Sequence, residues 1–167
     1  VVIPARYSSE RLPGKPLRLI AGLPMLQHAW MRAMESDARE VVIATDDERI
    51  QTAAEAFGAT VCMTSDRHRS GTERIAEVAD SLAWQDDQVV VNLQGDEPMM
   101  PPAVIRECAA LLEDPAADMA TLASPLLSMD DFRDPNIVKV VLDYNAFALY
   151  FSRASIPYSR SEDSDDL

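Results

Sequence analysis

The chain has 167 residues, 47% of them apolar, and carries 15 Lys and Arg against 28 Asp and Glu, a formal net charge of −13. That length supports one domain with a sizeable core, and that charge argues against nucleic acid and anionic membrane surfaces as partners. No apolar run approaches the length of a membrane span and no signal peptide precedes the first strand, so the expected location is the cytoplasm.

Residues 1–3 form a short apolar, mainly β-branched run, read as a buried strand. It leads into Pro4-Ala5-Arg6-Tyr7 and then Arg11-Leu12-Pro13-Gly14-Lys15-Pro16-Leu17. Arg6, Arg11, Lys15 and Arg18 place four of the 15 cations in the first 18 residues, with Glu10 the only acid among them. In so acidic a chain a phosphate must be held by a local cationic cluster. Pro4, Pro13 and Pro16 stiffen this one, lowering the entropy of presenting its charges. It is not a P-loop, because Pro16 follows Gly14-Lys15 and the upstream glycine is missing, and no G-x-G-x-x-G occurs. Such charges are often merely solvated; the rigid frame and the local reversal of sign favour an anion site.

An amphipathic helix is expected from Pro24, carrying Leu26, Trp30 and Ala33, followed by a strand at 41–44. Asp46-Asp47 reads as a helix cap rather than a metal pair. The helix it opens runs to Phe57, with Ile50, Ala53, Ala54 and Phe57 on one face and Gly58 at its end. Cys62 and Cys108 are isolated and are expected to be buried, reduced thiols. Ser70-Gly71-Thr72-Glu73-Arg74 has capping-box spacing and opens a helix presenting Ile75, Val78, Ala79 and Leu82. Its N-terminus can also offer backbone donors to a ligand. His28 and His68 lack ligand spacing, and His68 reads as a polar loop residue.

A strand at 89–92 runs directly into Gln94-Gly95-Asp96-Glu97-Pro98. That sequence fits a turn and a metal site about equally. A helix follows Pro101-Pro102, and beyond Pro115 strands are expected at 119–123, 137–142 and 146–151, the last two as a hairpin. The tail from Ser159 reads as a polar loop. Strands alternating with helices indicate right-handed crossovers and a mainly parallel sheet in one layered α/β domain. Open sheets of this kind bind ligands beyond the carboxyl ends of their strands. The loops after 1–3 and after 89–93 therefore lie on the same edge. A carboxylate there facing a polyphosphate needs an intervening cation, and magnesium, held by one or two carboxylates plus phosphate oxygens, supplies it. No nucleophile–base–acid triad is evident.

Five segments occur in order: the stretch from Pro4 to Leu17; Ser70-Gly71-Thr72-Glu73-Arg74; Asn92-Leu93-Gln94-Gly95-Asp96-Glu97-Pro98; Pro135-Asn136-Ile137-Val138-Lys139-Val140-Val141; and Tyr150-Phe151-Ser152-Arg153-Ala154-Ser155-Ile156-Pro157. Together they resemble the 3-deoxy-manno-octulosonate cytidylyltransferases, the CMP-KDO synthetases of Gram-negative bacteria, over essentially the whole chain. The resemblance implies a Rossmann-like three-layer nucleotide-diphospho-sugar transferase fold, with a mainly parallel mixed sheet and a C-terminal hairpin. It implies transfer of CMP from CTP to the sugar acid KDO, releasing pyrophosphate, for lipopolysaccharide synthesis, with Mg2+ as cofactor and a homodimer as the assembly.

Arg6, Lys15 and Asp96 are then the catalytic residues, with Asp96 also the metal ligand. Pro4, Ala5, Arg6, Arg11, Lys15, Ser70 and Gly71 bind CTP, residues 68–72 lie near cytosine, and Arg74 and Gln94 meet the sugar acid. Glu10 stands where the family more often has a small hydroxyl residue. The family continues past Leu167 with a segment carrying a second metal-binding aspartate, sugar contacts and part of the dimer interface. The expectation for 1–167 is thus a single nucleotidyltransferase domain lacking that segment. The alternatives are a cytidylyltransferase for sialic acid or amino-KDO, and a nucleotide-binding module without catalysis.

Overall fold

The computed structural model describes residues 1–8 and 12–158, so Glu10, Arg11 and the tail from Ser159 lie outside the described residues. The chain divides into two compact units, Val1–Ala120 and Thr121–Leu167.

In the first unit β1 (Val2–Ala5), β4 (Val42–Thr45) and β5 (Thr60–Met63) form a parallel sheet in the order β1-β4-β5. β4 is central and buried along its whole length, which is why its sequence is a continuous apolar run rather than an alternation. The period of two still sorts its side chains. Ile3, Ala5, Val41 and Ile43 join one core cluster with Leu26 and Ala33 of α1 (Met25–Met34), Ile50 and Ala54 of α2 (Glu48–Ala56) and Ile105 of α4 (Pro102–Ala110). Val2, Val42 and Ala44 join the other with Ile75 and Val78 of α3 (Gly71–Ser81). The sheet is thus covered on both faces, as the three-layer expectation requires. Ile43 has no accessible surface. An Ile43→Ala variant should lose about 2–5 kcal/mol of unfolding free energy, read from urea melts.

The helix boundaries follow local chemistry. Asp47 caps α2 by accepting from the Arg49 N–H at 3.0 Å, and Gly58 follows with φ +89°. Pro102 opens α4. Leu19–Ile20 (β2) and Leu23–Pro24 (β3) make a small antiparallel pair, and the His28 side chain on α1 meets the Ile20 carbonyl at 2.8 Å.

The expected strand at 89–92 is not a regular strand. It lies parallel to β1 on the side away from β4 and makes one bridge, Val2 with Asn92. Val2 donates to the Val91 carbonyl at 2.9 Å, and Leu93 donates to the Val2 carbonyl at 3.1 Å. The next bond of such a ladder would come from the N–H of residue 4, on the same side of β1 as that of Val2. Residue 4 is Pro4 and has no N–H, so pairing ends there. Proline in the first strand therefore ends the hydrogen-bonded pairing of β1 with the neighbouring segment.

The second unit holds a five-residue helix, α5 (Met129–Arg133), and the antiparallel pair β6 (Lys139–Leu142) and β7 (Ala148–Ser152). The expected C-terminal hairpin is present, as a sheet of its own with an irregularity between Val141 and Leu142. Lys139 is 3% exposed, and its ammonium donates to the carbonyls of Asp134, Ile137 and Arg153, each at 2.8 Å. Three donors meet three acceptors, so this buried cation is satisfied as a structural anchor. No strand forms at 119–123: the segment has no ladder partner among the described residues, and Met119 and Leu122 are exposed. Among the described residues no helix is long and apolar enough to cross a membrane.

Candidate active site

β1 is flanked by β4 on one side and by residues 91–93 on the other, so the chain reverses its direction of sheet growth at β1. Crevices beyond strand carboxyl ends at such a reversal are where open α/β sheets bind ligands. Three segments converge there. A Lys15–Leu17 helical turn follows β1, the turn 94–97 follows residue 93, and α3 begins beside both. Glu97 donates to the Gln94 carbonyl at 3.0 Å, so Gly95-Asp96 is indeed a turn. Gly95 is needed there, because a Cβ would lie 3.2 Å from the Pro4 carbonyl oxygen and 3.3 Å from Leu26 Cδ1. Gly71 likewise lets the start of α3 approach, a Cβ there lying 3.3 Å from Pro4 Cγ and 3.5 Å from Gln94 Nε2.

Across this crevice the Lys15 ammonium donates to Asp96 Oδ2 at 2.6 Å, with the two side chains 39% and 47% exposed. An ion pair so open to water contributes little to stability. It can therefore exchange partners at small cost: a phosphate for Lys15, a cation for Asp96. Gln94 donates from Nε2 to Asn92 Oδ1 at 2.7 Å. Pro4 borders Gly71, while Ala5 is buried at the end of β1 and offers the crevice backbone only.

Arg6 bonds to the segment before α3, its Nη2 donating to the carbonyls of His68 and Ser70, the latter at 3.2 Å. Ser70 caps α3 by accepting from the Glu73 N–H at 3.1 Å. The reciprocal bond is displaced by one residue, since Glu73 Oε2 accepts from the Arg69 N–H at 2.6 Å. His68 Nε2 meets Glu77 Oε2, which also accepts from the Ser65 N–H at 2.9 Å. The bond to His68, and then that to Ser65, hold the Glu77 carboxyl below its ordinary value of 4.5. A depressed carboxylate stabilises the fold above its unfolded pKa, and that contribution is lost as pH falls through the folded one. Glu77→Gln should thus be less stable than the parent at pH 7, with the difference between their urea midpoints closing as pH drops below about 4.

The loop after β1 has its own fastening. Gly14 donates to the Tyr7 carbonyl at 2.9 Å, and Arg49 of α2 covers the Tyr7 ring, its Cζ 3.3 Å from the centroid. Asp47 holds that guanidinium in a bidentate pair at 2.9 and 2.5 Å, which keeps its own carboxyl below the usual range. Asp47 is therefore the helix cap that the sequence indicates.

Arg74, expected at the sugar acid, has no accessible surface. Its guanidinium reaches Thr64 Oγ1 and lies 3.0 Å from Asp46 Oδ2, so it supports the frame of the crevice rather than lining it. Arg11 lies outside the described residues. Cys62 and Cys108 are free and partly rather than fully buried, and burial raises the Cys62 thiol pKa.

A metal would have few protein ligands here. Among the described residues no group of three or more His, Cys, Asp or Glu side chains is arranged to hold one. Asp96, exposed and opposite Lys15, fits a cation that shares its coordination with ligand phosphates.

The family model for cytidylyltransferases matches residues 1–166. This chain belongs to the cytidylyltransferase family. Within it, the chain is 51% identical over 165 residues to the 3-deoxy-manno-octulosonate cytidylyltransferase of Haemophilus ducreyi, covering 99% of this chain and 65% of that protein. It is 55% identical over 166 residues to the protein of that name from Thioalkalivibrio sulfidiphilus, covering 99% of this chain and 66% of the relative. The chain thus spans just under two thirds of the length of these curated relatives. The solved structure of a CMP:2-keto-3-deoxy-manno-octonic acid synthetase complexed with CTP matches with a TM-score of 0.82 at 42% identity, over 98% of this chain and 67% of that one.

Lys15, Asp96, Gly71 and Gln94, all named from the sequence, are brought together at this crevice. Sequence reasoning missed the fastenings around them: Arg49 on Tyr7, Glu77 under His68, and Asp46 with Thr64 around Arg74. Glu73 and Glu77, one helical turn apart on α3 and close to His68 in sequence, were the available signal for one of these.

Proposed function

We propose that this chain carries the nucleotide site of an enzyme that transfers CMP from CTP to KDO, releasing pyrophosphate. The observation that supports this best is the Lys15–Asp96 pair, an exchangeable cation and carboxylate facing each other across the crevice beyond the carboxyl ends of β1 and residues 91–93. The names of the relatives supply the substrates of the reading.

In this reaction the anomeric hydroxyl of KDO attacks the α-phosphorus of CTP. A new P–O bond forms, the bond to the oxygen bridging to the β-phosphate breaks, and the hydroxyl proton passes to solvent. Little covalent chemistry is asked of the protein, so its contribution is positioning and charge neutralisation. Lys15, Arg6 and Arg11 are read as the cations holding the triphosphate, and Asp96 as the carboxylate that would hold Mg2+. That ion would neutralise charge on the phosphates and the departing pyrophosphate. Ser70, Gly71 and the backbone of Pro4 and Ala5 are read against the nucleoside, with Gln94 toward the sugar acid.

The family model's span of 1–166 favours reading the whole chain as one nucleotidyltransferase domain. A homodimer and a cytoplasmic location belong to the same proposal. The exposed Leu149, Tyr150 and Phe151 of β7 are apolar surface of the kind a subunit contact covers.

The test is pyrophosphate release by the purified chain with magnesium, CTP and KDO, beside reactions with UTP or with sialic acid. Release confined to CTP with KDO is expected. Release with sialic acid would change the acceptor, and CTP binding without release from any pair would favour the binding module.

A further inference from the structure

Among the described residues Arg74 is the largest side chain with no exposure, and a cation so placed calls for a reason. Its Nη1 donates to Thr64 Oγ1, and that hydroxyl in turn donates to the Thr45 carbonyl at 3.1 Å. Its Nη2 lies 3.0 Å from Asp46 Oδ2 without hydrogen-bond alignment, and its Nε has no partner. Thr45 ends β4, Asp46 follows it, and Thr64 directly follows β5. One guanidinium from the first turn of α3 is therefore fastened to the carboxyl ends of two neighbouring strands.

The backbone of the same residue completes the link. The Arg74 N–H and Arg6 Nη2 both point to the Ser70 carbonyl, at 3.4 and 3.2 Å. The start of α3, where Gly71 packs on Pro4 beside Gln94, is thus fixed from behind by Arg74 and from the side by Arg6. Lys15 and Asp96 stand in a different part of the crevice and share no bond with this network.

We infer that Arg74 is a positioning residue: through Thr64 and Asp46 it sets the start of α3 against the sheet and so sets affinity for the nucleoside part of CTP. The triphosphate is held chiefly from the Lys15 side, and Arg6, which shares only the Ser70 carbonyl with Arg74, keeps its other anchor on the His68 carbonyl. This rests on the CTP reading above, and it assigns Arg74 a role without contact to any substrate. The lack of a hydrogen-bond partner at Nε and Nη2 is consistent with it, because a guanidinium held between two fixed strand ends cannot satisfy every donor.

The experiment is calorimetric titration of the purified chain with CTP and, separately, with inorganic tripolyphosphate, both with magnesium. It compares the parent with Arg74→Met, Asp46→Asn and Thr64→Val. Urea melts establish that each variant is folded; should Arg74→Met not fold, the two partner variants carry the comparison. The expected result is a loss of CTP affinity of about tenfold or more, with tripolyphosphate affinity within about twofold of the parent. A purely structural role would lower the melting midpoint and leave the ratio of the two affinities unchanged. An unchanged ratio, or equal losses for both ligands, overturns the inference and leaves the CTP reading standing. Failure of the parent itself to bind CTP overturns that reading and this inference with it.

Discussion

Asp96→Ala is expected to lower magnesium-dependent pyrophosphate release on the order of a thousandfold, the scale of losing a principal charge-stabilising group. Its unfolding free energy should stay within about 0.5 kcal/mol of the parent. The separation of the two effects follows from where Asp96 stands. It occupies an exposed turn after residue 93, its side-chain partner among the described residues is the exposed Lys15, and its removal leaves no buried charge. The fold therefore loses little, whereas the proposed reaction loses the carboxylate that would hold the metal against the phosphates. Activity of the variant at the parent's level, with the parent's magnesium dependence, would rule out that role.

Lys15→Ala should weaken CTP binding by about 1–3 kcal/mol, the scale of a charge-assisted hydrogen bond. Two effects combine. The variant loses a donor to the triphosphate, and it leaves Asp96 facing that triphosphate without the cation that now lies 2.6 Å away. Because the two residues touch, their effects should not add. In a Lys15→Ala, Asp96→Ala double variant, titrated with CTP in the absence of magnesium, the second substitution should return part of the affinity lost in the first. An unchanged CTP affinity in the single variant would remove Lys15 from the phosphate cradle.

Much of the fold was legible because its signals are local. The helices from 47, 70 and 102 declared themselves by cap residues and a 3.6-residue period, and the buried strands at 41–44 and 1–3 by unbroken apolar runs. The strand at 89–92 misled because an apolar run guarantees neither pairing nor burial: Val89 is exposed, and Asn92 alone bridges to β1. Its pairing with β1 is the single bridge of Asn92 with Val2, a partner in a distant part of the chain, and it ends past Leu93 where Pro4 has no N–H to give. Segment 119–123 likewise has no ladder partner among the described residues, and Met119 and Leu122 are exposed.

The site divides along the same line. Charge reversal in the first 18 residues and a carboxylate at a strand end can be read from sequence, and they led to Lys15 and Asp96. Arg74 could not be placed that way. As the fourth residue after a cap it could face solvent, substrate or sheet, and only the carboxyl ends of β4 and β5 decide among them.

On the proposed reading, CTP lies in the crevice bounded by the loop after β1, the start of α3 and the turn 94–97. Backbone amide exchange on the purified chain, with and without saturating CTP and magnesium, tests it most directly. Protection concentrated in residues 5–8, 14–18, 68–74 and 94–97, with β6 and β7 unchanged, is the predicted result. Protection elsewhere with those segments unaffected would contradict it.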